Sequence, residues 1–447
     1  MLGVLDDLKY LLRARDNVVA MWPKSFYRRE LIPVRCLTRW MYVVNSPAGV
    51  QRVMVTNEKN YPKSPANTQT LKPLLGNGLF VSNGEFWARQ RRIASPATHG
   101  SRLPEYARAI VECGGEMLGR WRQLPAGDAI DVTEPFTLVT ADIIARIMFG
   151  YRLEERGPVL YEAFKEYQAS HGRVHLYELL GLPAWLPRPG LRRGRRAVQQ
   201  FDRVLRHILD EGRRRAPHTP PTLLEMLIAY RDADGQAMPP GLIRDEMASI
   251  FLAGHETTAI TLSWAFWLLS QFPEVEARVH EEVDRVLGGR PPTFDDSAKL
   301  VYVRAVIDET LRLYPPVHIF SREALADDEI SGQRIAAGSF ITIASWLLHR
   351  HELYWENPKA FQPDRFLPPR VQQVHQFAYI PFGAGSRICM GKHLGLLEAT
   401  LLLAQIAQAF RLRPLAGTTV EPLGRMTLRP GTRVPMRLEA RSSGARN

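Results

Sequence analysis

One cysteine in a glycine-rich stretch is the residue of this chain best placed to do chemistry: Phe382-Gly383-Ala384-Gly385-Ser386-Arg387-Ile388-Cys389-Met390-Gly391. Pro381 precedes it, and a run rich in Leu, Ala and Gln, His393 to Phe410, follows with helical spacing. A thiol at the mouth of a helix sits among unpaired N–H groups and at the positive end of the dipole. Those conditions lower its pKa and hold it as thiolate. Gly383, Gly385 and Gly391 let the backbone turn tightly and come close to a flat ligand. The ordinary role of a free cysteine is that of a small buried hydrophobe, and only the flanking pattern argues against it here.

A second cluster, Ala253-Gly254-His255-Glu256-Thr257-Thr258, falls in the middle of a helical pattern. Glycine there costs about 1 kcal/mol relative to alanine, and a threonine hydroxyl bonded to the preceding turn bends a helix. The result is either a kink with a solvated glutamate or a groove for a small molecule beside an acid and an alcohol. Glu309 and Arg312 lie three apart on one helical face among Val303, Val306, Ile307, Leu311 and Leu313. Exposed pairs at that spacing are commonplace and contribute a few tenths of a kcal/mol. Trp87 and Arg91 lie four apart on an earlier helix.

Taken together these segments resemble the cytochrome P-450 family over nearly the whole chain. Phe382, Gly385, Arg387, Cys389 and Gly391 match the haem-binding loop, which implies that haem b iron is held by Cys389 thiolate. The resemblance makes Thr257 and Glu256 the oxygen-activation pair, the alcohol hydrogen-bonding bound O2 and the acid relaying protons. It makes Glu309, Arg312 and Arg365 (within Pro363-Asp364-Arg365-Phe366) a buried structural charge network. Trp87, Arg91, Arg322 and Arg387 become donors to the haem propionates, which must be neutralised to be buried. Phe80, Phe251, Ala253, Val317, Ile319 and Met426 would line a substrate pocket; all are uncharged, which suits a lipophilic ligand. The implied activity is a haem-thiolate monooxygenase that hydroxylates a fatty acid, terpenoid or steroid. The alternatives are a haem-thiolate sensor or carrier without turnover, and a peroxide-driven or isomerase variant of the same fold.

The elements that must position these residues are mostly helices. Helical signal runs from Glu85 to Gly150 with proline breaks, then over 159–169, 195–215, 242–271, 273–287 and 299–314. Short strands are expected over Arg28 to Val44 and Ile330 to Ile343, and a hairpin over Thr427 to Leu438. Tyr61 to Asn83 reads as loop, and Gly181 to Gly190 as a turn. The fold class is mainly α with small sheets, one large domain over residues 1–447 with no fused reductase. The cofactor should lie between the central helix and the helix after the cysteine.

Three cysteines in 447 residues are too few for a disulfide framework and fit a reducing, cytoplasmic setting. Residues 1–22 lack the apolar core of a signal peptide. His255 and Glu256 interrupt the most hydrophobic stretch, so no transmembrane anchor is expected. The net charge of +12 gathers at Arg91-Arg92, Arg192-Arg193, Arg195-Arg196 and Arg213 to Arg215. No nucleic-acid-binding pattern accompanies it. Solvated surface is the plain reading; the other is docking of an acidic ferredoxin or flavodoxin, served by its NAD(P)H reductase, near Arg89, Arg92 and Lys392. A monomer using O2 and a hydrophobic small molecule completes the expectation.

Overall fold

Residues 240–271 are apolar around most of the helical circumference, and a helix of that kind must be covered by others. A computed structural model describes residues 17–36, 39–125, 127–154, 156–171 and 191–441. The expected turn at Gly181 to Gly190 and residues 1–16 lie outside the described residues.

Helices come in chain order as α1 (Pro47–Gln51), α2 (Pro65–Leu75), α3 (Gly84–Ala94), α4 (Leu103–Arg122), α5 (Thr133–Phe149) and α6 (Arg156–His171). They continue as α7 (Leu191–Arg214), α8 (Leu223–Ala229), α9 (Pro240–Gln271), α10 (Pro273–Leu287), α11 (Val301–Leu313), α12 (Ser345–Leu348) and α13 (Lys392–Ala409). Pro240 and Pro273 each open a helix in the first turn, where the missing N–H costs nothing. Tyr61 to Asn83 holds α2 where a loop was expected. Pro65 starts that helix, and Pro73 falls in its last turn, so neither breaks its middle.

α9 runs as continuous helix from end to end, so Gly254 does not break it. The glycine serves packing instead: a Cβ there would lie 2.5 Å from Cδ1 of Ile144 on α5. Thr140 of α5 then donates to the His255 carbonyl at 2.8 Å.

The sheets are small. β1 (Leu31–Cys36), β2 (Arg39–Val44), β4 (Phe320–Glu323) and β7 (Phe340–Ile343) form one in the order β1-β2-β7-β4, with β2 and β7 parallel. β3 (Ala129–Asp131), β8 (Phe410–Pro414) and β11 (Pro435–Ala440) form another, and β5 (Asp328–Ile330) pairs with β6 (Gln333–Ile335). The hairpin expected over Thr427 to Leu438 does not form. β10 (Leu428–Pro430) pairs back with β9 (Pro422–Gly424), while β11 joins the other sheet. Alternation correctly marked strands there but carried no information on their partners. Among the described residues no helix is long and apolar enough to cross a membrane.

Candidate active site

The thiol loop is built from the backbone outward. Gly383 and Gly385 have φ of +73° and +70°, a region that favours glycine. A Cβ on Gly385 would lie 1.8 Å from the Met54 carbonyl, so its close approach is to the protein and not to a ligand. Gly391, at φ −84°, needs no such freedom and caps α13. Cys389 N donates to the Phe382 carbonyl at 2.9 Å, closing the loop. Arg91 Nη2 reaches the Ile388 carbonyl at 2.7 Å.

Cys389 is accessible, yet protein surrounds it closely. Burial pushes its thiol pKa up, with the Gly391 N–H, Arg91 and Lys392 pulling the other way. The lowering expected at the helix mouth is opposed here by burial.

Behind the loop stands a polar buttress. Glu309 and Arg312 of α11 are fully buried and joined by two bonds, Nε to Oε2 at 2.6 Å and Nη2 to Oε1 at 2.7 Å. Arg312 also donates to the carbonyls of His349 (2.8 Å), Pro358 (2.7 Å) and Ala360 (2.9 Å). Arg365 approaches Glu309 at 3.4 Å and donates to the Asn357 carbonyl. Sequence reasoning missed the links from this network to the thiol loop. Ile380 N donates to Nε2 of His349 at 2.9 Å, so Nδ1 carries the proton and faces the Arg312 carbonyl at 3.2 Å. Burial, with Arg312 and Arg350 nearby, brings His349 down to about 3 and keeps it neutral. Tyr379 Oη meets Asp308 at 2.9 Å.

Arg91, Arg322 and Arg387 converge, and Lys63, a fourth cation that no local pattern marked, joins them. Burial and then the charges of Arg387, Arg322 and Arg91 bring Lys63 down to about 7. Burial and Arg387 bring Arg322 down to about 10; burial also brings Arg387 to about 10, Glu58 opposing. The Arg387 guanidinium lies 4.1 Å from the Trp87 ring centroid. Glu58 itself is engaged by Ser386, through N at 3.2 Å and Oγ at 2.7 Å. A cluster this buried and this positive is a receptor for anions.

On α9, Ala253 is exposed and Thr257 half-buried, four residues apart on one stripe of a mostly buried helix. Thr257 Oγ1 donates to the Ala253 carbonyl at 2.9 Å. Glu256 turns the other way, where its Oε1 accepts from Gln168 of α6 and from Thr427 at 2.8 Å. Burial raises its pKa against those two bonds and the charge of Arg429, which favours a protonated carboxyl. The first turns of α13 touch α9 beside Thr257: a Cβ on Gly395 would lie 4.0 Å from Thr258 Oγ1. Thr258 then reaches Glu398 of α13 at 3.5 Å. The Ala253 to Thr258 segment and the helix that follows Cys389 are therefore in contact.

The expected pocket residues differ in exposure. Phe80 is 43% exposed in the loop after α2, Val317 and Ile319 are half-buried before β4, and Met426 is half-buried beside Thr427. Phe251 is enclosed by the rings of Phe201 and His255, at centroid distances of 5.9 and 4.7 Å. Two positions from Ala253 on a helix, it points nearly the opposite way, into the core.

A family model described as Cytochrome P450 matches residues 24–432. Cyclooctatin synthase of Streptomyces melanosporofaciens is 34% identical over 411 residues, covering 92% of this chain and 88% of that protein. Cyclooctat-9-en-7-ol 5-monooxygenase of the same organism is 34% identical over 393 residues, with 88% and 84% covered. Pentalenene oxygenase of Streptomyces avermitilis is 31% identical over 420 residues, with 93% and 91% covered. Among solved structures, the haem domain of cytochrome P450DA superposes with a TM-score of 0.82 at 25% identity, covering 93% of this chain and 90% of that one.

Haem b brings two carboxylates and an iron that takes a soft axial ligand. Four converging cations, Arg322 buried and Lys63, Arg91 and Arg387 half-buried, suit the carboxylates. Cys389 suits the iron. Both Cys389 and Ala253 are accessible, although the helices next to them are mostly buried. With that fit, and with matches running the length of the fold, the chain belongs to the cytochrome P450 family and is a haem b monooxygenase.

Proposed function

We propose that this monooxygenase hydroxylates a terpenoid, in preference to a fatty acid or steroid, with electrons from a separate ferredoxin or flavodoxin and its reductase in the cytoplasm. One observation carries the substrate class. Three relatives covered over at least 84% of their own length are named for cyclooctatin, cyclooctat-9-en-7-ol and pentalenene, all terpenoids. The uncharged candidates Phe80, Ala253, Val317, Ile319 and Met426 support a site that holds its ligand by burial.

Haem supplies the binding and reductive activation of O2 when it is bound; the chain supplies ligand, protons and position. Cys389 would ligate the iron. Lys63, Arg91, Arg322 and Arg387 would pair with the propionates, with Trp87 packed on Arg387. Phe382, Gly385 and Gly391 shape the loop, and Glu309, Arg312 and Arg365 keep it in place through His349 and Ile380. Thr257 holds a hydroxyl proton at Oγ1, resting on the Ala253 carbonyl. Glu256, oriented by Gln168 and Thr427 on the other side of α9, is the acid that would relay protons toward it. Arg89 and Arg92, exposed on the helix whose Arg91 reaches Ile388, offer an acidic partner a docking face near the sulfur.

The test is a spin-state titration of the haem-loaded enzyme with terpene, fatty-acid and steroid panels, followed by turnover with a surrogate ferredoxin pair. Oxygenated terpene products are expected; shifts and products confined to another panel would overturn the substrate class. Thr257→Ala should keep its haem but lose roughly tenfold in product per electron, the difference appearing as hydrogen peroxide. Unchanged coupling would remove Thr257 from its role.

A further inference from the structure

The stripe of α9 that carries Ala253 and Thr257 continues toward the N-terminus through Ser249 and Glu246, at steps of four and three residues. Both side chains are almost wholly buried, Glu246 at 1% and Ser249 at 2% exposure. Each has an atom with no hydrogen-bond partner in the protein: Oε1 of Glu246 and Oγ of Ser249. Their neighbours are otherwise fully engaged. Glu246 Oε2 accepts from Leu79 N at 3.1 Å, and Asp245 accepts from Asn77 N at 2.8 Å and from Arg244 at 3.0 Å.

The segment from Gly76 to Phe80 lies directly over this pair. A Cβ on Gly78 would come within 2.2 Å of Ser249 Oγ, and one on Gly76 within 2.1 Å of the Asp245 carboxylate. From its other side the same segment is held by Lys63, whose Nζ reaches the carbonyls of Leu79 at 3.4 Å and Phe80 at 2.5 Å. A covering strap seated on glycines would suit apolar side chains beneath it equally well. A carboxyl and a hydroxyl near one another, each with an atom to spare, call for a polar partner.

We propose that Glu246 and Ser249 form the polar end of the substrate site and take a hydroxyl group already carried by an otherwise apolar substrate. The inference rests on the terpenoid reading above and narrows it to terpenoid alcohols. An alcohol donates one hydrogen bond and accepts others, so it can serve both orphaned atoms at once. Burial holds Glu246 up near 7 beside Asp245, so its carboxyl is available in both protonation states at neutral pH. The reaction that supplies such a substrate must leave an alcohol on the carbon skeleton, either an earlier hydroxylation or water capture of a cyclising carbocation.

Matched pairs that differ by one hydroxyl test this, cedrol with cedrane and 1-adamantanol with adamantane among a wider panel. Each is titrated into the haem-loaded enzyme and read by the spin-state shift. The alcohols are expected to bind at least about tenfold more tightly than their parent hydrocarbons, as one well-made hydrogen bond to a carboxyl allows. Glu246→Leu and Ser249→Ala should each weaken alcohol binding more than hydrocarbon binding and so shrink that preference. Glu246→Gln, which keeps a polar end, should retain most of it. Equal affinity for both members of every pair, or equal losses for both members in the variants, would overturn the proposal and leave Glu246 as an anchor of the strap. A panel in which neither hydrocarbons nor alcohols shift the spin state would overturn the terpenoid reading itself.

Discussion

In the buttress behind Cys389 the donors of Arg312 are answered within the protein, whereas along the Glu246 to Thr257 stripe of α9 polar atoms are left open. Arg312 alone makes five hydrogen bonds, two to Glu309 and three to carbonyls of the segment that leads to the thiol loop. The stripe instead offers an exposed alanine, a threonine bonded only to its own helix and two orphaned oxygens. On the function proposed above, one region would hold the iron ligand in a single position, and the other would meet a partner that changes from one turnover to the next. Saturated networks rigidify, and unsaturated ones bind. The contrast makes unequal predictions for the two sides.

The largest effect belongs to the sulfur. Cys389→Ala should abolish turnover and the long-wavelength absorption of the reduced, CO-bound enzyme, while the fold survives because the loop's own bonds are backbone. A retained thiolate spectrum would move the iron ligand elsewhere. Next comes the buttress. Arg312→Ala strands the fully buried Glu309 carboxylate and should cost about 3–5 kcal/mol. Chemical denaturation measures this, and loss of haem incorporation during expression should accompany it. A cost near 1 kcal/mol would mean that the network is slack and that the comparison drawn above fails on its rigid side.

Much of this was legible in the sequence, and where it was not the reasons are physical. Cys389, Glu309, Arg312, Glu256 and Thr257 sit in short contiguous patterns, and such patterns carry their chemistry with them. Helix bounds also read well: the expected 273–287 is the observed α10. What failed depends on residues distant in the chain. His349 reaches Ile380, Gln168 and Thr427 reach Glu256, and Lys63 reaches three arginines, all through folding that no local pattern encodes. The β10–β9 pairing was hidden for the same reason. Phe251 was misassigned because an apolar residue near a site looks the same in sequence whichever way its helix turns it.

Lys63 tests the anion receptor at a middle scale. Its folded pKa lies near 7 against about 10.5 unfolded. Between those values the unfolded cofactor-free chain binds more protons than the folded one, so stability of the haem-free protein should rise as pH rises through that window. Lys63→Met removes the titration, so its urea midpoint should change less between pH 7.5 and 9.5 than that of the parent. With haem bound, the propionates hold Lys63 charged, and the pH dependence should vanish. The same variant should bind haem roughly tenfold more weakly, the loss of one charge-assisted hydrogen bond. Identical pH profiles for parent and variant would exclude Lys63 from the cluster's electrostatics.

The smallest effect concerns the packing that lets α9 present its stripe. At Gly254 helix propensity and sterics oppose one another. Alanine would gain about 1 kcal/mol in a helix interior. Its Cβ would also meet Ile144 at 2.5 and 2.6 Å, contacts that real atoms do not make. Overpacking a filled core costs about 1–3 kcal/mol, so Gly254→Ala should be net destabilising by about 1 kcal/mol, measurable as a lowered denaturation midpoint. Trimming the obstacle separates the two terms: in an Ile144→Ala background the same substitution should become neutral or stabilising. If Gly254→Ala is stabilising in both backgrounds, the glycine is not there for the approach of α5, and its flexibility rather than its smallness must matter to the stripe beside it.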